Sequence, residues 1–129
     1  MSIIDAFRLD GKVAVVTGAN TGLGQGMSVA LAQAGAKVVG VARRSGEETK
    51  KRIEADGGEF AEVIADLSDM SAIDVIVNGA LAAFGKVDIL VNNAGLIKRN
   101  DAIDFTEDEW DSVIQVYLKM VFFLSQAFA

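Results

Sequence analysis

Thr17-Gly18-Ala19-Asn20-Thr21-Gly22-Leu23-Gly24 follows the β-branched run Val13-Ala14-Val15-Val16 and leads straight into the helix-forming stretch Met27-Ser28-Val29-Ala30-Leu31-Ala32. A strand that passes through a glycine turn into a helix is the βα unit of an open α/β sheet, with the helix N-terminal amides facing the carboxyl end of the strand. Gly18, Gly22 and Gly24 remove Cβ atoms from the turn, so backbone N–H groups can reach anionic oxygens. The turn reads as a phosphate cradle. An ordinary βα connection is an equal reading of the turn alone, because Met27 stands where Gly-x-Gly-x-x-Gly would place its third glycine.

The unit repeats. Apolar runs near 13–17, 37–42, 59–65 and 87–92 alternate with helical segments over 23–34, 45–56, 69–84 and 106–128. Four βα units in strict alternation imply a parallel sheet with helices on both faces. Gly35, Gly57-Gly58 and Gly85 stand just past three helices, where a left-handed cap is wanted, and Thr106 to Glu109 has capping-box spacing for the last helix. The segment Gly95 to Asp104 is the one long irregular loop. It leaves the carboxyl end of the fourth strand, the same edge on which the glycine turn opens and where ligands bind in such sheets.

At 129 residues the chain is expected to be one domain, 1–129. Twelve basic against eighteen acidic residues give a net charge of −6, and no basic run exceeds three residues, so neither nucleic acid nor an acidic membrane surface is an expected partner. The chain has no cysteine and no histidine. That excludes disulfides, Cys/His zinc sites, thiol nucleophiles and His-based triads, and the scattered carboxylates predict no metal site. Met1 to Arg8 carries charge too early for a signal peptide. Gln115, Lys119, Ser125 and Gln126 interrupt the apolar stretch from Val113 to Ala129, so no membrane span is predicted and a cytoplasmic location is expected.

The spacing Thr-Gly-x-x-x-Gly-x-Gly, followed in order by Asp66-Leu67, Asn92-Asn93-Ala94-Gly95 and Glu109-Trp110, resembles the short-chain dehydrogenase/reductase family along essentially the whole chain. The resemblance implies a Rossmann-like half fold, a four-stranded parallel sheet in the order 3-2-1-4, and binding of a nicotinamide dinucleotide. It assigns Gly18, Asn20, Thr21, Gly22, Leu23 and Gly24 to the dinucleotide loop and Asp66 with Leu67 to adenine. Asn93, Ala94 and Gly95 then hold the adenosine ribose and steady the central sheet. A strand-end turn is the other reading of Asn92-Asn93. At the end of the second strand, where an acid would read the ribose 2′-hydroxyl, Ala42 is followed by Arg43-Arg44. A guanidinium can fork onto phosphate oxygens, which favours NADP(H), while NAD and a merely solvated basic pair stay open.

The family's catalytic Ser and Tyr-x-x-x-Lys belong to a second half of similar length, and neither pattern occurs within these residues. Tyr117, the single tyrosine, is followed four positions later by Val121, and it stands where the family usually carries an active-site Asn. Met120 replaces a small polar residue of the same segment. The resemblance therefore implies a truncated nucleotide-binding half with no catalytic residues, silent by itself, whose cofactor binding is weakened or lost. Two alternatives remain: an active sugar-acid oxidoreductase completed by another chain, and a scaffold that binds nothing. Phe7 to Lys12, Gly22 to Met27 and Asn93 to Arg99 are most similar to the branch of 2-deoxygluconate and 2-keto-3-deoxygluconate dehydrogenases.

The last helix carries two apolar stripes. Trp110, Ile114, Tyr117, Val121, Leu124 and Phe128 form one; Val113, Val116, Met120, Phe123 and Ala127 form the other, at the 3-4-3-4 spacing of a helix seam. A homodimer through helix 106–128 is expected, with Val113, Val116, Tyr117, Met120 and Phe123 at the seam. The edge of strand 87–92 offers a competing route, and filling of the intramolecular core is the alternative use of Val116 and Phe123.

Overall fold

The computed structural model describes residues 2–129 and contains one four-stranded sheet in the order β3-β2-β1-β4, all parallel, as expected. The strands are β1 (Val13–Thr17), β2 (Lys37–Ala42), β3 (Phe60–Ile64) and β4 (Ile89–Val91). β1 lies between β2 and β4, and all five of its side chains are buried. That double burial is why its sequence is a continuous apolar run instead of an alternating one. β3, at one edge, is buried only at Phe60 and Val63; β4 pairs with β1 and with no other described strand.

Helices α2 (Gly22–Gln33) and α3 (Glu47–Ala55) cover one face, where Val16, Val38, Ile53 and Phe60 form a buried cluster. On the other face α4 (Ala72–Phe84) and α6 (Met120–Phe128) close over Val15, Val39, Val41 and Val63, with Ile76, Ala80, Met120 and Leu124 fully buried. A short helix, α1 (Ile3–Ala6), precedes the sheet. The sequence reading missed it, although Ser2 and Asp5 cap it reciprocally. Met1, the start of the segment weighed as a leader, lies outside the described residues.

Helix boundaries differ from expectation where side chains offer the backbone another partner. The third long helix starts at Ala72, not near 69, because Asp66 accepts from the Ser68 N–H and Asp69 from the Ser71 N–H, turning the chain before the helix begins. Gly35, Gly57 and Gly85 do adopt positive φ, whereas Gly58 does not. Gly58 is small for a packing reason: a Cβ there would stand 2.8 Å from Ile53 Cγ2. At the last helix the Thr106 hydroxyl accepts from the Glu109 N–H, as expected of the cap, while the Glu109 carboxylate takes the Thr106 hydroxyl instead of its backbone N–H.

The segment expected as one regular helix over 106–128 divides into α5 (Glu107–Ile114), a π-turn over Gln115–Lys119 and α6. This geometry corrects the placement of two of the residues expected at a dimer seam. Met120 is 1% exposed and Val116 is 7% exposed, so both face into their own domain and neither is available to a partner. Val113 is half-buried; Tyr117 and Phe123 remain exposed. The outward apolar surface runs instead through Trp110, Leu118 and Phe122, each about 60% exposed.

Candidate functional site

The carboxyl ends of β1, β2, β3 and β4 converge on a cleft of about 520 Å³. Its floor is the turn after β1. Gly18 there has φ +67°, and a Cβ would stand 3.0 Å from Asn93 Nδ2 and 3.1 Å from the Ala94 backbone, so only glycine lets the two loops meet. Gly24 is needed for closeness of another kind. It is buried, and a Cβ on it would collide with the Gly18 carbonyl, so it lets α2 lie directly against the turn.

Three hydroxyls and two amides brace this floor. Thr17 Oγ1 donates to Val91 O and accepts from the Asn93 and Ala94 N–H groups at 3.0 Å each, joining the end of β1 to the loop after β4. Asn93 Nδ2 donates to Thr17 O and Gly18 O, so its amide braces the two loops. Buried Thr49 on α3 donates to Ala19 O at 2.8 Å and accepts from Gln25 Nε2. Ser28 donates to Gly24 O at 2.8 Å inside α2. Thr17 and Thr49 were not singled out from sequence. Thr17 ends an apolar run and Thr49 stands between the exposed Glu48 and Lys50, and neither setting carries a partner with it.

Around the floor the polar groups are arranged by charge. Thr21 caps α2 with no side-chain hydrogen bond, and no acid occupies the first turn of that helix. The first helical donor is the Gln25 N–H, on Thr21 O, so the N–H groups of Gly22, Leu23 and Gly24 precede the ladder and give the turn its anion-attracting end. Arg43 and Arg44 line the rim beyond β2, and among the described residues neither enters an ion pair. Asp66, after the neighbouring strand β3, lines the same rim. The Ser68 N–H and hydroxyl, with a smaller pull from Arg43, hold its carboxyl below the usual carboxylate range. Both Ser68 bonds fall on Oδ1, which leaves Oδ2 as an acceptor facing solvent.

The family described as short chain dehydrogenase matches residues 12–129. The chain belongs to the short-chain dehydrogenase family. Over 127 residues it is 52% identical to 2-dehydro-3-deoxy-D-gluconate 5-dehydrogenase of Dickeya dadantii, covering 98% of this chain and 50% of that protein. Among solved structures, a short-chain type dehydrogenase/reductase from Mycobacterium marinum superposes with a TM-score of 0.93 at 31% identity, over 98% of this chain and 52% of that one. A metagenomic short-chain oxidoreductase in complex with NADP superposes with a TM-score of 0.86 at 41% identity, over 93% and 56%. The chain spans about half the length of the curated relatives it matches.

Of the residues that the family resemblance singles out, Gly18, Asn20, Thr21, Arg43, Asp66, Leu67, Asn93, Ala94 and Gly95 line the cleft. Gly22, Leu23 and Gly24 lie beside it, the first two exposed at the helix start and the third buried beneath the turn. Arg44, read with Arg43 as a basic pair, and Val116, expected at the dimer seam, line it as well, as do Ser68 and Leu96, which were given no role in advance. The set fits a dinucleotide: crowded glycines and helix-start amides at the turn after β1, with the two arginines and a carboxylate acceptor together beyond β2 and β3. A second, mostly apolar groove of about 810 Å³ adjoins the first at Leu96 and runs along α5 past Ile97, Phe105, Trp110 and Ile114. No helix among the described residues is long and apolar enough to cross a membrane.

Proposed function

We propose that these residues form the NADP(H)-binding half of an oxidoreductase acting on sugar acids. The observation that carries the reading is the cleft itself, in which the glycine turn, two unpaired arginines and Asp66 meet at one sheet edge. The sugar-acid class is supported by the name of the Dickeya relative, and the cofactor by the NADP bound to the metagenomic one. When bound, a nicotinamide dinucleotide supplies the hydride. This chain's part is to seat the pyrophosphate at the amides of the turn, to offer Asp66 Oδ2 as an acceptor to the base and to neutralise a 2′-phosphate with Arg43 and Arg44.

In this reading the 129 residues bind dinucleotide weakly and do not turn over by themselves. Tyr117 and Lys119, the side chains nearest in type to a proton-exchanging phenol and its lysine, are two positions apart on the helical segment and do not pair as Tyr-x-x-x-Lys would. A cytoplasmic setting goes with it, where nicotinamide dinucleotides are made and recycled. Two copies pair through the outward face of α5 and α6, with Trp110, Leu118 and Phe122 in place of the buried Val116 and Met120.

Fluorescence titration with NADPH and NADH tests the cofactor assignment. Wild type is expected to favour NADPH, and Arg43→Asp to invert the preference, because a carboxylate repels the 2′-phosphate and accepts from a free 2′-hydroxyl. Equal affinities for the two nucleotides before and after the change contradict the reading.

A further inference from the structure

The π-turn places the one tyrosine of the chain beside the β4 side of the cleft, away from Arg43 and Asp66, where Gly95 and Val116 line it. A Cβ on Gly95, which lines the cleft, would overlap the Tyr117 hydroxyl and stand 2.9 Å from Cζ, so the phenol lies directly against the Gly95 backbone. Val116, the preceding residue, closes the cleft wall at the same point. Tyr117 is 49% exposed, and its hydroxyl takes part in no hydrogen bond among the described residues, so it still has a proton to donate and lone pairs to fill. A ligand that enters at the Arg43 and Asp66 rim and crosses the glycine turn arrives at this hydroxyl. A mononucleotide ends before it; a dinucleotide has a second ribose to present there.

We propose that Tyr117 is a cofactor-positioning residue, its hydroxyl hydrogen-bonding the ribose on the far side of the pyrophosphate from adenine. The proposal rests on the nucleotide-binding reading above and deepens it, since it separates the two halves of the ligand. Removing the hydroxyl should weaken any ligand that has a second ribose and spare one that lacks it. Gly95 is then required to be glycine for the sake of Tyr117.

The probes are NADPH and adenosine 2′,5′-bisphosphate, which carries the adenosine end and both phosphate positions but no second ribose. Tyr117→Phe is expected to weaken NADPH about three- to tenfold, the size of one neutral hydrogen bond, and to leave the bisphosphate within twofold. Because Tyr117 is the only tyrosine, a chain made with ¹³C-labelled tyrosine reports the site in wild type without substitution. NADPH should shift its ring signals, and the bisphosphate should leave them in place. Equal weakening of both ligands by Tyr117→Phe, tighter NADPH binding by Tyr117→Ala, or ring signals indifferent to NADPH would overturn the proposal while the cleft's role stands. Failure of wild type to bind either ligand would remove both.

Discussion

At the scale of single residues, the Thr17 hydroxyl serves three backbone groups at once, one as donor and two as acceptor, which is all the hydrogen bonding a hydroxyl can offer. Thr17→Val keeps the β-branched shape and the burial but leaves Val91 O and two N–H groups without this partner. A loss of about 1–3 kcal/mol is expected, read by urea unfolding, together with loosening of the loop after β4. A variant as stable as wild type would show that the hydroxyl does not hold the two loops together. Asp88 works at the opposite end of β1, where its carboxylate accepts from the Val13 N–H at 2.9 Å and from Lys86 Nζ at 3.0 Å. The Val13 bond and then the lysine hold its carboxyl below the usual carboxylate range, and Asp66 and Asp69 are lowered in the same way by their serine partners. A depressed folded-state value means stability that is complete above the unfolded value, about 3.9, and is lost as pH falls through the lower folded one. Stability should therefore drop on the acid side below roughly pH 4. Asp88→Asn should lower stability at neutral pH and flatten that acid limb; an unchanged limb would assign it to other groups.

At the scale of elements, the last helix shows what a periodicity reading can and cannot see. Its apolar residues, capping threonine and length were legible, because each is a local property of the sequence. Its phase was not. Burial at Val116, Met120 and Leu124 runs at a spacing of four, as a widened turn requires, and crosses from one 3.6-residue stripe to the other. A π-turn leaves no residue type that marks it, so side chains placed outward by a regular helix are turned inward beyond it. The two sets of residues now separate by experiment. Met120→Glu puts a charge among Ile76, Ala80 and Leu124 and is expected to unfold the domain. Phe122→Glu, on the exposed face, should leave the fold intact and convert a dimer to a monomer in sedimentation. A folded, monomeric Met120→Glu, or a dimer indifferent to Phe122→Glu, would contradict this placement.

At the scale of the whole molecule, the sheet order and the convergence of loops at one edge were legible because strict βα alternation admits few arrangements and the glycine turn fixes which edge binds. Cleft residues contributed by loops were legible where they carry charge or glycine, as at Gly18, Arg43 and Asp66. The braces at Thr17 and Thr49 were not, since their partners lie 24 or more residues away in sequence. What unites the molecule is that Gly18, Arg43 and Asp66 line one cleft over the Thr17 and Thr49 braces, and amide chemical-shift mapping during an NADPH titration examines that claim residue by residue. The account predicts shifts at Gly18 to Thr21, Arg43, Asp66, Ala94 and Gly95, with little change along the apolar groove from Ile97 to Ile114. Shifts confined to that groove, or none at saturating NADPH, would contradict it.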